Sequence, residues 1–275
     1  MAPTPSGPRV WRWGNWVASP LLEPPLHASP EVGFLQFNMC GSACNKGDTA
    51  TVVDALRDSI LDFKPDVCLL NEACLAQVDR LWDRLDLSGF TTSACFGATA
   101  GRSMCPGREG EQWYGNAILT RGVGMGEPEA IKLPNKPRLN EQRGAISMTC
   151  LLRGAPALVA SAHLVPRGKD EEFNLRQIAE LARIQNQRAA AGNVVIFGGD
   201  FNATPDRLNQ ITGADGRFRD VDHAGNAATL FRRKIDYILL DTRHFSRLSA
   251  AVTNSKLSDH RLLKGRATLV VPGAG

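Results

Sequence analysis

The sequence predicts an α/β fold, a layered sandwich of mixed β-sheets with helices outside. Three observations carry that expectation. Strand-like apolar runs outnumber helical patterns. Some neighbouring strands, such as 144–152 and 156–164, are joined too tightly for a crossover helix and must pair antiparallel. Other strands are separated by helical segments, so the sheets are mixed rather than of the Rossmann type.

The elements follow in order. Residues 33–39 (GFLQFNM) read as an apolar strand. Residues 49–65 set Val52, Val53, Leu56, Ile60 and Leu61 at helical spacing, and Pro65 closes that helix. Residues 66–73 (DVCLLNEA) are a second buried strand, and 75–89 a second helix ending at Gly89. Further strands are expected at 115–120, 144–152, 156–164, 194–200, 234–240 and 266–271. The longest helix spans 169–190. No GxGxxG or GxxxxGK follows any strand, so mononucleotide binding by a phosphate loop has no support.

With 275 residues, 43% apolar and 22% charged, the chain can bury a sizeable core. One domain is expected over 31–272, after a Pro- and Trp-rich tail or strap over 1–30. The three Trp of that segment argue that part of it docks. No apolar run approaches the ~20 residues of a membrane span. As written the chain has no signal peptide and reads as cytoplasmic, or as secreted if such a peptide was removed. A monomer is expected. A formal charge of +4 and a pI near 8.7 suit an anionic partner without naming one.

Seven cysteines are many for a cytosolic chain and odd in number. Cys95 and Cys105 flank a loop that a disulfide could close. Cys40, Cys44 and Cys74 each follow a strand end, and a bridge from Cys40 or Cys44 to Cys74 would pin two of those loops. Cys68 and Cys150 sit in apolar runs and read as buried thiols. Disulfides would imply an oxidising compartment, whereas reduced structural cysteines would not. No CxxC pair occurs, so zinc is the weaker reading.

The chemistry is suggested by polar residues at strand ends. Asn38, Glu72, His163, Asp200 with Asn202, Asp236, and Asp259 with His260 each stand at or just beyond an apolar run. Singly, each reads as a turn residue, a cap or a satisfied core group. Jointly they point to one pocket where loops leave the strands. Asp200 and Asn202 are two apart and face one side if strand geometry persists that far. Gly198 and Gly199 then let the backbone turn.

The segments FLQFNMCG, LLNEA, YGNAILT, QRGAI, ASAHLVP, IFGGDFNATP, KIDYILL and LSDHRLL, in that order, resemble the motifs of the endonuclease/exonuclease/phosphatase superfamily, with its deoxyribonuclease I-like fold. The resemblance runs from about Gly33 to Val271. It implies a four-layered sandwich of two packed mixed β-sheets flanked by helices. It implies a divalent metal, magnesium or else manganese or calcium, held by Glu72 with Asn38 beside it and Asp259 nearby. It assigns Asp200 and Asn202 to water and phosphate, His163 to the first histidine position, and Asp236 to orienting His260. Arg143 would contact phosphate, and Tyr114 with Asn116 would line the cleft.

These roles are chemically sensible. A phosphodiester repels hydroxide, and a hard cation on oxygen ligands offsets that repulsion. A protonated histidine held by an aspartate can donate to phosphate. An acid among other acids has the raised pKa of a general base. Substrate choice lies in the loops. Arg217, Arg219, Arg232, Arg233 and Lys234, with Lys132, Lys136, Arg138 and Arg143, form a basic group that could track nucleic acid. The expectation is a metal-dependent phosphodiesterase acting on nucleic acid. The alternatives are a phosphatase, a phospholipid phosphodiesterase, or a non-hydrolytic scaffold that keeps the pocket.

Overall fold

The computed structural model describes residues 9–17, 31–90, 93–101, 105–107, 112–136, 142–166, 168, 170–212 and 216–270. Arg138 and most of the segment 1–30 lie outside them. The strands are β1 (Val10–Trp13), β2 (Trp16–Val17), β3 (Glu31–Asn38), β4 (Val67–Cys74), β5 (Ser93–Gly101), β6 (Trp113–Thr120), β7 (Val123–Lys132), β8 (Gly144–Leu152), β9 (Ala155–His163), β10 (Val194–Asp200), β11 (Phe218–Asp220), β12 (Asp236–Asp241), β13 (Phe245–Thr253) and β14 (Leu262–Leu269). The helices are α1 (Thr51–Phe63), α2 (Leu75–Leu87), α3 (Glu171–Ala190) and α4 (Pro205–Thr212).

They form two seven-stranded mixed sheets. The first runs β1-β5-β6-β4-β3-β14-β13, and the second β11-β12-β10-β9-β8-β7-β2. The expected tight antiparallel pairing of 144–152 with 156–164 is present as β8 with β9, running from Gly144–His163 to Leu152–Ala155. Its two-residue turn, Arg153-Gly154, has both φ positive, the conformation that suits strand twist in a hairpin. β3 and β4 pair parallel across α1, and β9 and β10 parallel across α3.

Side-chain alternation sorts the core into three layers of contact. Val32, Phe34, Leu69, Ile146, Val159, Ile196 and Ile238 pack between the two sheets. Leu35, Phe37, Cys68 and Leu70 turn outward onto α1 and α2. Val195, Phe197, Tyr237 and Leu239 turn outward the other way, into the cluster that Ile178 and Leu181 of α3 complete. The result is the four-layered sandwich that the motifs implied.

One consequence positions the site. Between the sheets β3 contributes Val32 and Phe34, then by the same parity Gln36 and Asn38. β9 similarly runs Ala157, Val159, Ser161, His163, and β10 runs Val194, Ile196, Gly198, Asp200. The inter-sheet core therefore changes from apolar to polar at one end.

Several elements escape the sequence reading. β1, β2, β5, β7, β11, β13 and α4 were not expected. β7 holds Gly124, Gly126 and Pro128. β13 alternates half-buried and exposed residues at a sheet edge, so neither presents an apolar run. The N-terminal tryptophans sit on both sheets. β1 pairs with β5, β2 pairs with β7, and Trp11 packs against Phe96 and Trp113 at 5.6 and 5.8 Å between ring centroids.

The disulfide expectations need correction. Cys40 bonds Cys44, and Cys74 bonds Cys105. A helical turn, with Cys44 N–H donating to Cys40 O, brings the first pair together locally. Cys95 is a buried free thiol because the pleat of β5 aims it into the inter-sheet core. Cys68 and Cys150 are buried thiols as expected, with burial raising both pKa values.

Candidate active site

The polar end of the inter-sheet core brings together Asn38, Glu72, His163, Asp200, Asp236 and His260. A buried amide scaffold beneath them was missed by sequence reading. Asn71 Oδ1 accepts from the Asp200 N–H at 2.9 Å and from Gln36 Nε2 at 3.1 Å. Asn71 Nδ2 donates to Asn116 Oδ1 at 2.9 Å and to Ala162 O at 3.1 Å. Gln36 Nε2 also donates to Asp236 Oδ1 at 2.8 Å. These bonds tie six strands to one another, three from each sheet. The signal was present, because a lone Gln or Asn inside an otherwise apolar strand must find buried partners.

Glu72 is aimed by a β-bulge. The β4–β6 register shifts between Leu70 and Ala73, and Glu72 takes φ 52°. A left-handed glutamate in a strand is a backbone cost of the kind that gathers at functional sites. Its Oε1 accepts from Asn38 Nδ2 at 3.0 Å. The same Nδ2 donates to Asp200 Oδ2 at 3.0 Å, while Asn38 Oδ1 accepts the Cys40 N–H at 2.9 Å. The Cys40 N–H thus fixes which end of the amide faces the acids. In this orientation Asn38 bridges two carboxylates and presents no oxygen to the pocket.

Asp200 is buried, with Oδ1 accepting the Asn202 N–H at 3.0 Å. Burial and the neighbouring charges of Asp236 and Glu72 push its pKa up to about 7, against the pull of His260 and Asn38. Strand geometry does not persist to Asn202. β10 ends at Asp200, Asn202 has φ 51°, and its Nδ2 donates to Leu164 O at 3.1 Å. The glycines do not make a turn either. Gly199 sits inside β10 at φ 135°, where a β-carbon would overlap the Ala162 carbonyl. It permits close approach of β9 to β10.

His260 Nδ1 donates to Asp236 Oδ2 at 2.9 Å, and its Nε2 lies 3.7 Å from Asp200 Oδ2. Burial opposes its charge, but the Asp236 bond and the charges of Asp236, Asp200 and Asp259 prevail and raise its pKa to about 9. His163 is the opposite case. Burial first, then the charges of Arg143 and His260, hold it well below the usual histidine range. Arg143 Nη1 lies 2.6 and 2.8 Å from its two ring nitrogens and donates to whichever is unprotonated. The approaches of His163 Nε2 to Glu72 (3.6 Å) and Asp200 (3.5 Å) are therefore contacts of a neutral ring.

Glu72, His163 and Asp200 can each place one ligand atom within 4.8 Å of the others, and so can Asp200, Asp236 and His260. A cationic His260 bound to Asp236 is unfit for a cation. Two carboxylates flanked by a neutral imidazole fit a hard divalent ion. Asp259 belongs to neither group. It is exposed, 3.8 Å from the Cys44 sulfur, beside a disulfide that binds no metal.

Asn116 is buried, with Nδ2 donating to Gly144 O at 2.9 Å and Oδ1 taken by Asn71. Tyr114 is buried against the Cys74–Cys105 disulfide. The basic group is thinner than its count suggested. Lys234 is buried between Asp220 (2.8 Å) and Asp222 (3.2 Å), and Lys136 pairs with Asp170 at 2.7 Å.

Comparison with known proteins places these features. No curated protein matches the chain. Solved structures do. An endonuclease/exonuclease/phosphatase from Beutenbergia cavernae DSM 12333 superposes with a TM-score of 0.70 at 19% identity, covering 87% of this chain and 72% of that one. The human Nocturnin catalytic domain with bound sulfate gives 0.68 at 20% identity, over 88% and 96%. D. rerio TDP2 complexed with a single-strand DNA product gives 0.66 at 16% identity, over 86% and 99%. The model of the Endonuclease/Exonuclease/phosphatase family matches residues 35–260, most of the chain, and this chain belongs to that family.

Proposed function

We propose that the chain is a divalent-metal-dependent phosphodiesterase acting on nucleic acid. The observation that carries this reading is the convergence of Glu72, Asp200 and His163 within bridging distance, with the Asp236–His260 pair closing on the same Asp200. Glu72 is the anchoring metal ligand, with Asp200 beside it and Asn38 holding both carboxylates. Magnesium is the expected ion; when bound it offsets phosphate charge and stabilises the leaving oxygen.

The chain's own residues do the rest. Asp200, whose Oδ2 lies 3.7 Å from His260 Nε2 and 3.5 Å from His163 Nε2, takes a proton from the attacking water as the water oxygen bonds phosphorus and the ester bond to the leaving oxygen breaks. His260, charged and held by Asp236, donates from Nε2 to a phosphate oxygen. Arg143, beside His163, supplies a second positive group at the rim. Asn202, half-buried at the end of β10, completes the water and phosphate side.

Nucleic acid is favoured over other esters because a solved neighbour of the same fold carries a DNA product. The two disulfides support an oxidising compartment. A panel of esters assayed with and without magnesium tests the reading. Metal-dependent cleavage of single- or double-stranded nucleic acid supports it. Release of inorganic phosphate or phosphocholine alone would replace it with a phosphatase or lipid esterase, and metal binding without turnover with a scaffold.

A further inference from the structure

A two-residue turn projects from the rim of the site. Leu230 and Arg233 exchange both backbone hydrogen bonds, Leu230 N–H to Arg233 O at 3.0 Å and Arg233 N–H to Leu230 O at 2.8 Å. Phe231 and Arg232 form its tip. Phe231 has φ 49°, in the left-handed region, at the turn position where glycine is preferred. The residue is 69% exposed and belongs to no hydrophobic cluster among the described residues. Packing therefore does not explain a bulky residue there. Among the described exposed large hydrophobics it is the aromatic one.

The turn is hydrogen-bonded to the segments that carry the catalytic groups. Leu230 bridges His260. Thr229 Oγ1 accepts the Asp236 N–H at 3.1 Å, and Thr229 O accepts the Arg261 N–H at 2.8 Å. Arg232 and Arg233 are exposed, with no acidic partner among the described residues. An exposed aromatic between backbone-held neighbours and two unpaired guanidinium groups has the makings of a single-strand platform. Bases stack on aromatic faces, and arginines follow the phosphates.

We propose that Phe231 is a specificity-determining residue that stacks on a base of a single-stranded substrate next to the scissile phosphate, with Arg232 and Arg233 on neighbouring phosphates. The inference rests on the nucleic-acid reading above and sharpens it to unpaired strands. An exposed aromatic with arginines could also meet a lipid surface; the turn's attachment to His260 and Asp236, rather than to a separate face, favours the nucleotide beside the reacting phosphate.

The test uses the full chain in magnesium on an Asp200→Asn background, so that ligand is bound and not cleaved. Fluorescence anisotropy compares a labelled oligothymidylate with an abasic strand of equal length and charge. The expected result is a preference of about tenfold for the base-bearing strand, lost in Phe231→Gly and kept in Phe231→Trp. Glycine relieves the left-handed backbone, so lost preference in that variant does not come from unfolding. No preference with Phe231 present, or a preference that survives Phe231→Gly, overturns the proposal. So does a Phe231-dependent gain in phospholipid-vesicle binding without a base preference. Hydrolysis of esters by the otherwise unaltered chain is scored separately, so that failed chemistry and failed stacking are told apart.

Discussion

Asp236 and His260 stand 24 positions apart in sequence, and the imidazole Nδ1 donates to the carboxylate at 2.9 Å. The bond is set by the start of β12 on one side and the Leu230–His260 bridge on the other. Asp236→Asn should remove the charge that keeps His260 protonated. In metal-free protein the His260 ring should titrate by NMR near 9 in the parent and well below that in the variant. Turnover should fall roughly 10²-fold, the usual scale for a misplaced acid–base group.

The same pair gives a pH dependence of stability. The folded pKa of His260, about 9, lies above its unfolded value of about 6.5. Its stabilisation is complete below about 6.5 and is lost as pH rises through about 9. Asp200, raised to about 7, adds in the same direction, since ionising it in the fold costs stability between about 4 and 7. Thermal melts of metal-free protein should therefore fall in Tm from pH 6 to pH 10. A flat profile would contradict the pairing.

Glu72→Ala removes the carboxylate proposed to anchor the metal but leaves the amide scaffold of Asn71 and Gln36 in place. The parent should gain Tm with added magnesium or manganese, by the logarithm of ligand over Kd. The variant should melt near the metal-free parent, show no such gain and lose metal-dependent turnover. A full metal response in the variant would remove Glu72 from the ligand set.

Thiol titration checks the disulfides. Denatured, unreduced protein should show the three thiols Cys68, Cys95 and Cys150, and reduced protein all seven. Reduction should also loosen the turn from which the Cys40 N–H orients Asn38, lowering metal affinity. Seven thiols before reduction would refute both pairings.

Gly199→Ala should destabilise by about 2–4 kcal/mol, because the backbone at φ 135° is strained for alanine and the Ala162 carbonyl leaves no room for a methyl group. Urea melts measure the loss. Tolerance of alanine would mean that β9 and β10 do not approach so closely.

Much of this was legible in the residues alone. The apolar runs 144–152, 156–164 and 194–200 announce their strands, because burial on both faces of a sheet needs uninterrupted hydrophobic sequence. The period of two then fixes which residues look inward. Asn38, His163, Asp200 and Asp236 lie on the parity of the inter-sheet core, so their convergence follows from pairing those strands at all.

What the strand pattern leaves open, the tertiary structure decided. Which cysteine meets which depends on a helical turn at 40–44 and on the loop that carries Cys105 to Cys74. Whether Asn38 offers its oxygen or its amine depends on one N–H from Cys40. Whether Lys234 is a surface cation depends on Asp220 and Asp222 closing over it. Each is a contact between segments far apart or of irregular backbone. Sequence periodicity is a local property that reports the face a side chain takes, while partners across the core are selected only when the sheets pack.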